Sequence, residues 1–245
     1  MRQIFAYENQ HDFEKYQQTA DILFERLLKY KNILEEEYNL LDAPKAIVWT
    51  SKDIAVNILS SVPVPAYTSR DVIFMTPDKD EWKEVMTVQL DGREDAEVAS
   101  YYASFDERQI LTILAHELTH HIEFFPDDFD DYSSGIWFEE GMCEYLPRRI
   151  LMDDEAFNQE VEVHSRLLEL FEDKYGERSV EDFGSDSYND SMSGIMFNYW
   201  KSFITVKYVV EELYDGDIQK VFKIHNDWHE NYREQTFSEY LGIDV

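Results

Sequence analysis

Residues Ile113 to Phe125 read ILAHELTHHIEFF, and no other stretch limits the fold so tightly. Apolar residues at Ile110, Leu111, Ile113, Leu114, Leu118 and Ile122 mark a helix that packs into a core. His116 and His120 are four apart, so on a helix their imidazoles share one face. Glu117 follows His116 and points about 100° away around the axis. Burying two histidines and a carboxylate without partners is costly. A shared metal ion removes that cost, and neutral imidazole is a good ligand for zinc. H-E-x-x-H on a helix is the pattern of zinc-dependent proteases, with the glutamate as general base.

The local context supports the helix. Asp106 with Gln109 three residues on forms an approximate capping box, so the helix is expected from about Glu107 to Phe125, where Pro126 ends it. A catalytic zinc takes three protein ligands and keeps one position open, so the third ligand must come from another element. The segment WFEEGMCEY offers Glu140, separated from His120 by nineteen residues, and Glu144 one helical turn later on the same face. One carboxylate can bind the metal. The other can accept a hydrogen bond from a ligand histidine's remaining N–H.

Elsewhere the chain reads as strands followed by helices. A helix is expected over His11 to Leu40, stopped by Ala43-Pro44. KAIVWTS and RDVIFMTPD read as strands, EVASYYASF as a third, and SVPVPAYTS as loop or edge. After the metal motif, helices are expected over IWFEEGMCEYLPRRI, over about Asp154 to Tyr175, Ser193 to Tyr214 and Asp217 to His229, and near Phe237. This order predicts an α+β fold.

Composition narrows the partners. The chain has 52 acidic and 22 basic residues, a net charge of -30, so its field repels nucleic acid and anionic membranes. Such a surface would attract basic peptides or cations, or it serves only solubility. One cysteine among 245 residues allows no internal disulfide. With no signal-like or membrane-spanning run, the expected location is the cytoplasm.

H-E-L-T-H, a spacer of about twenty, then W-x-x-E-G-x-x-E-Y resembles the gluzincin metallopeptidases, among them the thermolysin and aminopeptidase N families and the shorter peptidase-MA-like proteins. The resemblance covers about Lys45 to Phe222. It implies a zincin-like architecture, with a small N-terminal mixed sheet, the H-E-x-x-H helix and a mainly helical C-terminal part. Residues 1–245 would form a single unit, with an N-terminal helical segment (1–43), the sheet and metal-binding helices (44–152) and a helical C-terminal subdomain (153–245). It implies Zn2+ held by His116, His120 and Glu140, Glu117 as base, and Glu144 behind the ligands. The segment YWKSFITVKYVVEELYDG resembles the family's later helix, whose tyrosine stabilises the oxyanion. Tyr199 falls at that position, and Tyr188 is the fallback. Cys143 stands where the family has alanine and reads as a small core residue, or else as a fourth ligand. The G-x-M-E-N segment of aminopeptidase N is missing, and RDVIFMTPD or EVASYYASF would be the substrate-binding edge strand.

The activity implied is zinc-dependent peptide-bond hydrolysis. The alternative is a zinc-binding, catalytically weak or latent domain that acts as a protein-interaction module. Outside the motif, His121 is expected at the surface or as a cap. His225 and His229 are four apart and could form a second metal pair or supply an oxyanion donor. His164 is expected on a core-facing helix, Trp137 and Trp200 in the core, and PDDFDD as a solvated loop or a calcium loop.

Overall fold

The computed structural model describes residues 1–59, 64–126 and 135–243. The chain divides into two compact units, Met1–Glu123 and Phe124–Val245. It is α+β, with a single four-stranded sheet among the described residues. No described helix is long and apolar enough to cross a membrane.

In the first unit the sheet order is β1 (Arg2–Ala6), β2 (Ala46–Thr50), β4 (Val72–Met75), β3 (Ala66–Ser69). β2 runs parallel to β1 and to β4, and β3 runs antiparallel to β4. AIVWT is buried at every position, as suits a central strand covered on both faces. Parallel pairing of β1 with β2 needs a crossover, and α1 (Gln10–Glu37) supplies it. Asn9 caps α1, which buries Ala20, Leu23, Leu27, Tyr30 and Leu34 at alternating spacings of three and four. After β2 a one-turn α2 (Lys52–Ile54) runs into a π-helical turn, Ala55–Leu59. SVPVPAYTS, expected as loop or edge, begins outside the described residues and ends as the edge strand β3.

EVASYYASF is not a strand. It lies within and just after α4 (Ala96–Ala103), which follows α3 (Lys79–Gln89). Asp95 caps α4 by accepting hydrogen bonds from the backbone N–H of Glu97 and Val98. The buried residues Val98, Tyr101 and Tyr102 have helical spacing, which outweighs the strand preference of valine and tyrosine.

α5 (Glu107–Thr119) carries the metal motif and starts with the expected capping box of Asp106 and Gln109. It is shorter than predicted. Past Thr119 the turn tightens, with His121 N–H donating to the Leu118 carbonyl and Ile122 N–H to that of Thr119. His120 caps the helix with right-handed helical angles (φ -55°, ψ -19°), so it still lies one turn beyond His116.

The second unit is helical: α6 (Trp137–Leu151), α7 (Asp154–Tyr175), α8 (Met192–Tyr208) with a π-helical turn at Val209–Leu213, α9 (Ile218–Asn231) and α10 (Phe237–Leu241). Two 3-10 turns, Val180–Asp182 and Ser185–Asn189, join α7 to α8. Gly141 sets the approach of α6 to α8. A Cβ there would meet the Ser202 carbonyl oxygen and Val206 Cγ2, each at 2.5 Å. Most of PDDFDD lies outside the described residues.

Candidate metal centre

In the first unit the last turn of α5 is tied to α1. The Tyr30 and Thr119 hydroxyls lie 2.8 Å apart, and Thr119 Oγ1 donates to the Ala115 carbonyl at 2.7 Å. This fixes the turn that bears both histidines. His116 and His120 are buried, with ring centroids 4.9 Å apart and planes at 71°. Their Nε2 atoms are 3.2 Å apart. Two imidazole nitrogens that close either share a proton or share a cation. Glu117, between them in sequence, is buried as well.

His121 is not at the surface. It is buried, and its Nε2 lies 2.7 Å from Thr68 Oγ1 on β3. Burial first, then the neighbouring His120, pushes its pKa down to about 3. The edge strand is therefore joined to the helix turn that carries the histidine pair.

In the second unit Glu140 is in the first turn of α6. Among the described residues no side-chain hydrogen bond caps this helix at Ile136, and its start is held from outside. Ile136 N–H donates to the Phe183 carbonyl at 3.1 Å. Trp137 Nε1 and the Ser238 N–H both donate to Glu181 Oε1 at 2.9 Å. Trp137 is wholly buried, so the first residue of the W-x-x-E-G pattern anchors the turn that carries the glutamate. The Tyr188 and Tyr199 hydroxyls each donate to Glu140 Oε1 at 3.3 Å, and they lie 2.9 Å from one another.

One potential ligand atom from each of His116, His120 and Glu140 lies within 4.8 Å of the others, and all three residues are buried. Among the described residues no other group of three histidine, cysteine or acidic side chains is so arranged. Two imidazoles and a carboxylate are a donor set that could hold a metal ion.

The remaining candidates fall elsewhere. Glu144 forms an ion pair with Arg148, whose Nε also donates to the buried Glu160 at 3.2 Å. The guanidinium lies 5.1 Å from the centre of the Phe203 ring. His164 Nδ1 donates to the Glu160 carbonyl at 2.7 Å, and burial, then Arg148, pushes its pKa down. The sequence reading missed Arg148 and Glu160, although Arg148 stands four residues after Glu144 and Glu160 four before His164, the spacing of helix neighbours.

His225 and His229 form no metal cluster among the described residues. His225 stacks on Phe138 with centroids 4.1 Å apart, while Arg233 Nη1 lies 2.6 Å from His229 Nε2. Cys143 and Trp200 are buried in the core, as expected.

Compared with models of protein families, with curated proteins and with solved structures, the chain matches none of them.

Proposed function

We propose that the chain is a zinc-dependent peptide-bond hydrolase of the gluzincin kind, with His116, His120 and Glu140 as the metal ligands. The observation that carries this reading is the 3.2 Å separation of two buried Nε2 atoms one helical turn apart. Two nitrogens bound to one tetrahedral zinc at ordinary bond lengths stand about 3.3–3.4 Å apart. A carboxylate within 4.8 Å completes a set of three donors, the number that leaves a catalytic site one open position. Zinc in such a set supplies Lewis acidity toward water and toward a carbonyl oxygen.

The chain's own residues then divide the work. Glu117 sits beside the ligands on α5 without belonging to their face. Its carboxylate takes the proton of the attacking water and passes it to the departing amine. Tyr199 donates its hydroxyl proton to the oxyanion as it develops on the peptide carbonyl. Among the described residues β3 pairs with β4 alone, so its other edge can receive an extended peptide as an added strand. This replaces both edge strands suggested by the sequence, since RDVIFMTPD forms β4, paired on both sides, and EVASYYASF is helical.

Burial favours the second reading, a latent zinc domain. His116, Glu117, His120 and Glu140 are only 3–8% exposed. One experiment separates the two. Zinc content by elemental mass spectrometry and hydrolysis of a peptide library are measured for the wild type and for Glu117→Gln. The hydrolase reading expects about one zinc per chain in both proteins and hydrolysis in the wild type alone. Zinc without hydrolysis in either protein selects the latent domain. No zinc after its addition, or full hydrolysis by Glu117→Gln, overturns the proposed roles.

A further inference from the structure

The two tyrosines beside Glu140 form a set whose hydrogen count is informative. Three oxygen–oxygen contacts link Tyr188, Tyr199 and Glu140 Oε1, at 2.9, 3.3 and 3.3 Å. Each phenol brings one hydrogen. Two hydrogens cannot fill three contacts by single donation, so the set has alternative states. In one, both hydroxyls donate to the carboxylate. In another, one tyrosine donates to its neighbour, whose own proton is then available for a different acceptor.

Both side chains are held in place. Tyr199 lies within α8, and Tyr188 lies in the 3-10 turn Ser185–Asn189. Phe183, wholly buried, packs on both rings, with centroids 6.1 Å from Tyr188 and 5.0 Å from Tyr199. The turn is pinned at each end. Ser187 Oγ accepts the Gly184 N–H and donates to the Asp182 carbonyl, each at 3.2 Å. Asp190, just past the turn, accepts from Arg178 Nη2 at 2.5 Å and from the Ser191 N–H at 2.6 Å. A turn fastened in this way presents the Tyr188 hydroxyl at a set distance from that of Tyr199.

We infer that Tyr188 is a positioning residue for Tyr199, a role that rests on the hydrolase reading above. When Tyr199 turns its proton toward the peptide carbonyl oxygen, Tyr188 donates to the Tyr199 oxygen. That bond holds the Tyr199 hydroxyl in direction. It also strengthens it as a donor, because a hydroxyl that accepts a hydrogen bond donates more strongly. Tyr188 need not touch the substrate, and its effect passes through Tyr199.

The test is a double-mutant cycle with a spectroscopic arm. Hydrolysis and zinc content are measured for Tyr188→Phe, Tyr199→Phe and the double variant. With tyrosine labelled with carbon-13 at Cζ, the Tyr199 resonance is assigned by its loss in Tyr199→Phe and then followed in Tyr188→Phe, with and without zinc. Tyr188→Phe is expected to lower kcat about three- to tenfold with KM and zinc content unchanged, the scale of one hydrogen bond. Tyr199→Phe is expected to lower kcat about a hundredfold or more. Adding Tyr188→Phe to Tyr199→Phe should cost nothing further, and the Tyr199 Cζ signal should move in Tyr188→Phe. An equal loss in both backgrounds, or an unmoved signal, overturns the inference. If the wild type hydrolyses no peptide, the hydrolase reading falls on that result, and the resonance alone decides the pairing: a shift supports it and a static signal overturns it.

Discussion

Gly141 lies against Ser202 so closely that a Cβ added to it would stand 2.5 Å from the Ser202 carbonyl oxygen. The partner atom is backbone, which cannot rotate away. Gly141 also adjoins Glu140, so the contact that brings α6 to α8 sets where the carboxylate and Tyr199 meet. Gly141→Ala should force the two helices apart and destabilise the fold by about 1–3 kcal/mol. Urea unfolding of the variant measures the loss, and a zinc titration should show weaker binding alongside it. A variant with wild-type midpoint and affinity would show that the helices can shift without consequence.

Metal should be part of the stability of the folded chain. A ligand that binds only the folded state stabilises it by about 2.7 kcal/mol at a hundredfold excess over its dissociation constant. Chelation should therefore lower the wild-type Tm, and added zinc should restore it. His120→Ala and Glu140→Ala should show no zinc-dependent shift. Glu144→Ala should keep one, because the structure pairs Glu144 with Arg148 and not among the three clustered donors. A zinc-dependent Tm in Glu140→Ala would remove that residue from the ligand set.

The Arg148–Glu160 pair is buried behind α6, with side chains 10% and 5% exposed. Arg148 also pairs with Glu144, so removing it leaves two carboxylates without their shared cation. Arg148→Ala should cost about 3–5 kcal/mol, and replacing Arg148, Glu144 and Glu160 together by apolar residues of similar volume should cost much less. Equilibrium unfolding of the single and triple variants gives the comparison. If the triple variant were as unstable as Arg148→Ala, uncompensated charge would not be the cause.

The H-E-x-x-H helix could be read from sequence because its signals are local. The capping box, the period of Ile110 to Leu118 and the spacing of His116 and His120 all fall within one element, and the helices from Asp154 onward carry equally strong periods. What escaped depends on distant partners. RQIFA is too short to declare itself and becomes β1 only by pairing with Ala46–Thr50. Val98, Tyr101 and Tyr102 suggest a strand by residue type, and the Asp95 cap and their spacing decide for a helix. His121 looks exposed beside His120 until β3 places Thr68 against it. Glu144 reads toward the ligands by its motif position, while the structure pairs it with Arg148 one helical turn on, a cation the sequence reading missed. Tyr188 and Tyr199 lie eleven positions apart, and only the turn between α7 and α8 brings their hydroxyls together.

His225 should make the second unit sensitive to acid. It stacks on Phe138 and meets the edges or tilted faces of Phe237 and Trp228, and its Nδ1 is buried with no hydrogen-bond partner among the described residues. Burial first, then His229 and Arg233, pushes its pKa from 6.5 down to about 3. The unfolded chain takes up a proton near pH 6.5, while the folded chain resists until about pH 3. Stability from this group is therefore complete above 6.5 and lost as pH falls through that window, by up to about 1.4 kcal/mol per pH unit. His225→Phe should flatten this limb when unfolding midpoints are measured from pH 4 to 8. An unchanged slope would show that His225 titrates alike in both states.

The net charge of -30 should bear on substrate choice. A field of that sign raises the encounter rate of cationic peptides and lowers that of anionic ones. The effect is long-ranged, so salt should erase it, since the screening length falls to about 10 Å at 0.1 M ionic strength. Peptides matched in sequence around the cleaved bond, with lysine or glutamate flanks, should differ in kcat/KM at low salt and converge at high salt. On the proposed hydrolase reading the difference should lie mainly in KM, because the flanking charges act on encounter and not on the proton transfer proposed for Glu117. Equal kcat/KM at low salt would show that the acidic surface has no part in selecting the substrate.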